Sequence, residues 1–190
     1  MQIGLFFGSF NPVHVGHLII ANHVLNETKL DKVWLVVSPV NPFKLNADLM
    51  DENERFSLAE LAVRADERLI ASNIEFQLPK PSFTINTLSL LKEKYAENGF
   101  SIIMGSDNFG DLDKWKDYKD IIGSCKIFIY QRPGFPVENK FNADIAVLSA
   151  PMLNISSTEI RKLVKEGKSI RYLVPDAVRL EIVEKRHYRK

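Results

Sequence analysis

The chain has 190 residues, 45% of them apolar, with 25 Lys and Arg against 24 Asp and Glu, a formal net charge of +1, and one cysteine. At roughly 150 residues per domain this reads as one domain over residues 1–190, able to bury about 70% of its extended-chain surface without a disulfide or structural metal. Cys125 alone excludes an intramolecular disulfide framework and a zinc site of several thiolates, the balanced charge argues against a general nucleic-acid coat, and no apolar run approaches the ~20 residues of a membrane span. No basic segment leads into an apolar stretch at the start, so no signal peptide is expected and the expected location is the cytoplasm.

Short apolar runs rich in Ile, Val, Leu and Phe predict strands at Gln2–Phe7, Lys32–Ser38, Leu69–Phe76, Ser101–Met104, Lys126–Gln131 and Asp144–Ser149. They show little strict alternation, the pattern of strands covered on both faces. Between them, three- and four-residue apolar spacing predicts helices at Val13–Thr28, Asp51–Asp66, Thr84–Glu97 and Trp115–Ile122. Two more helices, near Ser157–Glu166 and Pro175–Arg186, form a small C-terminal subregion from about residue 155. Strands alternating with helices in this way predict a doubly wound α/β fold with a parallel, Rossmann-like sheet. The Pro- and Asn-rich Ser38–Asn46 and the segment Arg132–Asn139 are loops, the alternating charges of Asp51–Arg68 read as a solvated helix face, and the basic Lys185–Lys190 reads as a solvated C-terminus.

Gly8–His17, GSFNPVHVGH, stands directly after the first strand. Asn11 is suited to cap the following helix with Pro12 in its first turn. His14 and His17, three apart, then share one face of a helix N-terminus beyond the carboxyl end of a parallel strand, where ligands of α/β sheets bind. Free N–H groups and the helix dipole favour an anion there, above all phosphate, and imidazoles add donors. Two histidines at this spacing, with no third ligand nearby, do not make a zinc site, and the segment is neither a Walker A loop nor a Gly-x-Gly-x-x-Gly fingerprint. A second helix N-terminus lies in Asn154–Arg161, NISSTEIR, where Ser156 and Glu159 form a capping box and Arg161 follows within a turn, able to reach a phosphate.

GSFNPVHVGH resembles the H-x-G-H signature of the nucleotidylyltransferase superfamily, with Asn11 where relatives commonly have Asp, and ISSTEIR resembles its second signature. Between them PSFTINTL (81–88), IMGSDN (103–108), WKDY (115–118) and QRPG (131–134) stand in the order seen in the bacterial nicotinate-nucleotide adenylyltransferases, and the resemblance spans essentially the whole chain. It implies that ATP and nicotinate mononucleotide are the substrates, with Mg²⁺ bridging phosphate oxygens through ATP and water. It assigns His14, His17 and Arg161 to catalysis, and Gly8, Ser9, Phe10, Lys44, Gly105, Asp107, Arg132, Ile155, Ser156 and Ser157 to the ATP and its phosphates. Thr84, Trp115 and Lys116 go to the nicotinate nucleotide, with Trp115 stacking on the ring and Thr84 near its carboxylate. Two further departures are Phe43, where relatives often have His before the loop Lys, and Lys116, where they often have an aromatic residue or His. The alternatives are another H-x-G-H enzyme, acting on phosphopantetheine or nicotinamide mononucleotide, or a nucleotide-binding module without turnover. No nucleic-acid or membrane partner is expected, and homo-oligomerisation is left open.

Overall fold

A computed structural model describes residues 1–40, 49–151 and 153–189. Six parallel strands form one sheet: β1 (Gln2–Gly8), β2 (Lys32–Val37), β3 (Leu69–Ser72), β4 (Gly99–Gly105), β5 (Ile127–Tyr130) and β6 (Ile145–Leu148), in the order β3-β2-β1-β4-β5-β6. This is the doubly wound, Rossmann-like arrangement that the alternation of elements predicts. Its order reverses between β1 and β4, which opens a crevice outside their carboxyl ends.

The helices are α1 (Val15–Glu27), α2 (Glu52–Val63), α3 (Thr84–Lys94), α4 (Ser106–Gly110), α5 (Tyr118–Ser124), α6 (Ser157–Lys165) and α7 (Asp176–Glu184). Side chains alternate across each strand, so β2 sends Val33, Leu35 and Val37 to one core and Val36 to the other. The first core is closed by α1, α2, α6 and α7, through residues such as Val24, Leu58, Ile160 and Val178. The second is closed by α3, α4 and α5, through Leu88, Leu91, Phe109 and Ile121. Burial on both faces is why these strands read as continuous apolar runs.

Observed bounds differ from the predicted ones at several elements, and three of the differences bear on the site. The third strand stops at Ser72, and Ile74–Gln77 makes a 3₁₀ turn that carries the Glu75 carboxylate inside, where Ser82 and Thr87 hydroxyls donate to it at 2.7 and 2.8 Å. The helix predicted from Trp115 begins at Tyr118, because Trp115 is extended and Asp117 takes a left-handed backbone, φ +51°. The first helix begins at Val15 with His14 as its N-cap. Asn11 does not cap it: its Oδ1 accepts from the Met50 N–H at 3.4 Å and the Tyr188 hydroxyl at 2.9 Å, partners supplied by distant parts of the chain.

Among the described residues no helix is long and apolar enough to cross a membrane. Cys125 caps α5 with its thiol half-buried and donating to the Ile121 carbonyl, and burial pushes its pKa up to about 11, which leaves it a poor nucleophile near neutral pH.

Candidate active site

The site begins where β1 stops. Gly8 accepts from the Ser38 N–H at 2.9 Å, so the first two strands leave the sheet side by side. Phe10 follows with a left-handed backbone, φ +44°, rarely adopted by a residue with a side chain. Its ring is buried edge-on against Phe6 and against His17, the latter at 4.9 Å between centroids.

The two histidines stack, with ring centroids 3.6 Å apart and planes inclined by 25°. Gly16 makes room for this: a β-carbon there would meet the His14 ring at 3.0–3.1 Å, so a larger residue would have to push the ring aside by a few tenths of an ångström. The His14 backbone N–H donates to His17 Nδ1 at 3.2 Å. With Nδ1 used as an acceptor, the proton of a neutral His17 sits on Nε2.

His14 is 7% exposed, and its Nδ1 is buried without a hydrogen-bond partner among the described residues. Burial, then the nearby Arg132 guanidinium, lower its pKa to about 4. His14 is therefore a neutral imidazole around pH 7 and adds no positive charge to the unliganded site.

The second motif folds onto the first. Ser156 caps α6, its Oγ accepting from the Glu159 N–H at 3.2 Å, as the capping-box spacing predicts. Ser157 Oγ donates to the Pro12 carbonyl at 2.8 Å across 145 residues of sequence, and Arg161 Nη1 donates to the Asn11 carbonyl at 2.8 Å. Both side chains thus fasten α6 to the turn after β1. Ile155, just before the cap, packs its half-buried side chain against the same core.

Gly105 ends β4, next to β1 across the crevice. A β-carbon on it would meet Arg132 Nε at 2.9 Å and also crowd Asp107, so glycine is what allows the Asp107–Arg132 ion pair, 3.3 Å, to form there. Arg132 also donates to the Tyr130 hydroxyl at 3.1 Å, and its N–H donates to Ser106 Oγ at 2.9 Å. Tyr130 packs edge-on against Phe6, which joins this corner to the histidine turn.

Of Thr84, Trp115 and Lys116, the last lies against the start of α3. Phe83 caps α3 and Thr84 is its first residue, held in place through the buried Glu75. The Lys116 ammonium lies over the Phe83 ring, 5.0 Å from its centroid, and Trp115 packs half-buried against the second core. Lys44 and Phe43 lie outside the described residues.

Three contributors escaped the sequence reading. Arg55, placed on the solvated face of α2, is fully buried. Its signal was legible, since Arg55, Leu58, Ala59 and Val63 share the helical spacing of a core stripe. Tyr188 is likewise no part of a solvated tail: it packs on the first core, donates to Asn11, and burial raises its phenol pKa. Glu75 stood inside an expected strand, and only its 3₁₀ turn shows it as a buried anchor for α3.

No group of three or more His, Cys, Asp or Glu suited to a metal ion occurs among the described residues.

Residues 5–163 match the model of the Cytidylyltransferase-like family. The chain is 46% identical to the probable nicotinate-nucleotide adenylyltransferase of Cytophaga hutchinsonii, over 99% of this chain and 98% of that one. It is 45% identical to the protein of the same name from Flavobacterium johnsoniae over the full length of both. The structure of Plasmodium falciparum nicotinic acid mononucleotide adenylyltransferase complexed with NaAD shares the fold at a TM-score of 0.82 and 19% identity, covering 98% of this chain and 97% of that one. The chain therefore belongs to the Cytidylyltransferase-like family, among its nicotinate-nucleotide adenylyltransferases.

Proposed function

We propose that the protein transfers the adenylyl group of ATP to nicotinate mononucleotide, releasing pyrophosphate and forming the deamido form of NAD. The reading takes residues 1–190 as one catalytic unit and places the reaction in the cytoplasm. The observation that carries it is the joining of two motifs from opposite ends of the chain. Stacked His14 and His17 and the start of α6 meet on one turn, at the edge of a parallel sheet where its strand order reverses. A buried imidazole nitrogen without a partner at that edge supports a ligand.

A phosphate oxygen of nicotinate mononucleotide attacks the α-phosphorus of ATP in line, forming the new P–O bond as the bond to the β-phosphate oxygen breaks. The attacking phosphate is already largely ionised at pH 7, its second pKa being about 6, so neither a general base nor a covalent intermediate is needed. Catalysis then comes from alignment and from donors aimed at developing charge. His17 Nε2–H supplies one such donor, held in that tautomer by the His14 N–H. Arg161 has guanidinium donors beyond the one given to Asn11. Mg²⁺ enters as part of the MgATP substrate, its oxygen ligands coming from phosphate and water. Lys44 is assigned to phosphate, Asp107 to a ribose hydroxyl and Arg132 to the adenine or phosphates. Trp115 gives a stacking face for nicotinate, and Lys116, beside the Thr84 end of α3, gives a cation for its carboxylate.

The direct test follows pyrophosphate release from MgATP with three acceptors. Release with nicotinate mononucleotide, and much less with nicotinamide mononucleotide or phosphopantetheine, is expected; release with either of the others in its place overturns the acceptor assignment. Lys116→Ala is expected to raise KM for the acid about tenfold, the scale of a hydrogen bond to a charged group, and an unchanged KM removes Lys116 from the acid site. His17→Ala is expected to lower kcat by about 10² or more, as for a lost transition-state donor, and near-native turnover would end its catalytic assignment.

His14 also makes stability depend on pH. Its folded pKa of about 4 lies below the unfolded value of about 6.5, so the unfolded chain takes up a proton first as pH falls through that window. Stability from this group is complete above pH 6.5 and is lost down to pH 4, by about 3 kcal/mol in all. Urea unfolding of wild type and His14→Gln across this range should show wild type losing that much relative to the variant; a difference independent of pH would refute a buried, neutral His14.

A further inference from the structure

We propose that Arg55 is a positioning residue for phosphoryl chemistry, fixing the turn after β1 so that His17 meets the reacting phosphates in register. This rests on the reading of that turn as the phosphate site, and it assigns Arg55 no contact with substrate. Arg55 is fully buried, and four backbone carbonyls converge on its guanidinium. Nε donates to Met50 at 2.8 Å, Nη1 to Ser9 at 2.6 Å and to Ser38 at 2.8 Å, and Nη2 to Pro39 at 2.8 Å. One side chain thereby fastens the exit of β1 to the exit of β2 and to the start of α2.

The path to the chemistry is short. The Ser9 carbonyl drawn onto Arg55 belongs to the peptide that enters Phe10. Because a trans peptide holds C=O and N–H on opposite sides, this bond sets the direction of the Phe10 N–H. Phe10 has the left-handed backbone of the turn, a conformation that persists only where its surroundings over-determine it. Arg55 pins the residue before it, and Arg161 and Tyr188 pin Asn11 after it. The Phe10 ring then abuts His17 at 4.9 Å. A displacement at Ser9 passes to His17 through two contacts in a close-packed interior. Lysine cannot substitute, since its donors radiate from one nitrogen and lack the planar fork that spans these carbonyls.

The test uses Arg55→Lys and the uncharged Arg55→Met in the full chain, with circular dichroism and thermal unfolding alongside kinetics. Positioning predicts that Arg55→Lys loses about 10² in kcat, the scale of an ångström of misplacement, while KM for ATP and acceptor stay within about threefold. It also predicts shifted His17 imidazole ¹⁵N resonances in the unliganded variant. That readout needs no turnover, so it stands even if wild type prefers a different acceptor, which would defeat the substrate reading alone. Wild-type kcat in a folded variant, or unshifted His17 resonances, overturns the proposal. Loss of fold in both variants, unrelieved by saturating ATP, also overturns it by reducing Arg55 to a stability residue.

Discussion

The turn that leaves β1 buries its own carbonyls, and a buried carbonyl without a donor is costly. The fold meets this demand with a buried guanidinium. Arg55 provides donors to Ser9, Ser38, Pro39 and Met50 at once, and α6 provides two more, from Ser157 to Pro12 and from Arg161 to Asn11. Burial lowers the Arg55 pKa, while nearby Tyr188, Glu52 and Asp51 oppose the shift. The left-handed Phe10, the stacked histidines and the docking of α6 all depend on this one pinned segment.

The same geometry gathers positive charge locally in a chain of net charge +1. The positive groups are local: Arg132 at the end of β5, Arg161 on α6 and Arg55 beneath the turn. His14 differs from what its motif suggests. Packed against His17 and near Arg132, it is held neutral, so the positive charge of this corner rests with the arginines. Asn11 fits this balance as well. As an amide it accepts from Met50 and Tyr188 without adding an anion to the turn.

Much of the architecture was legible because local pattern and global fold agree. Short apolar runs rich in Ile, Val, Leu and Phe read as strands covered on both faces, and the Ser156–Glu159 spacing marked a helix start that the structure retains. The errors share a cause. Asn11 has the chemistry of a cap, but partners from residues 50 and 188 compete for its side chain, and those are invisible to a local reading. Arg55 and Tyr188 were taken for surface because charged segments are usually solvated. Each is buried because its polar atoms find backbone or amide partners inside, which no charge pattern encodes.

By itself the sequence determined the alternation of strands and helices, the placing of His14 and His17 on one face of a helix start, and the family to which the chain belongs. These depend on residues within a few positions of one another, whose spacing is the information. Only the tertiary structure decided that α6 closes on the turn after β1, that Arg55 gathers four carbonyls, and that His14 loses its charge. Those outcomes depend on which distant groups share a buried volume, and desolvation acts on that volume whatever the separation along the chain.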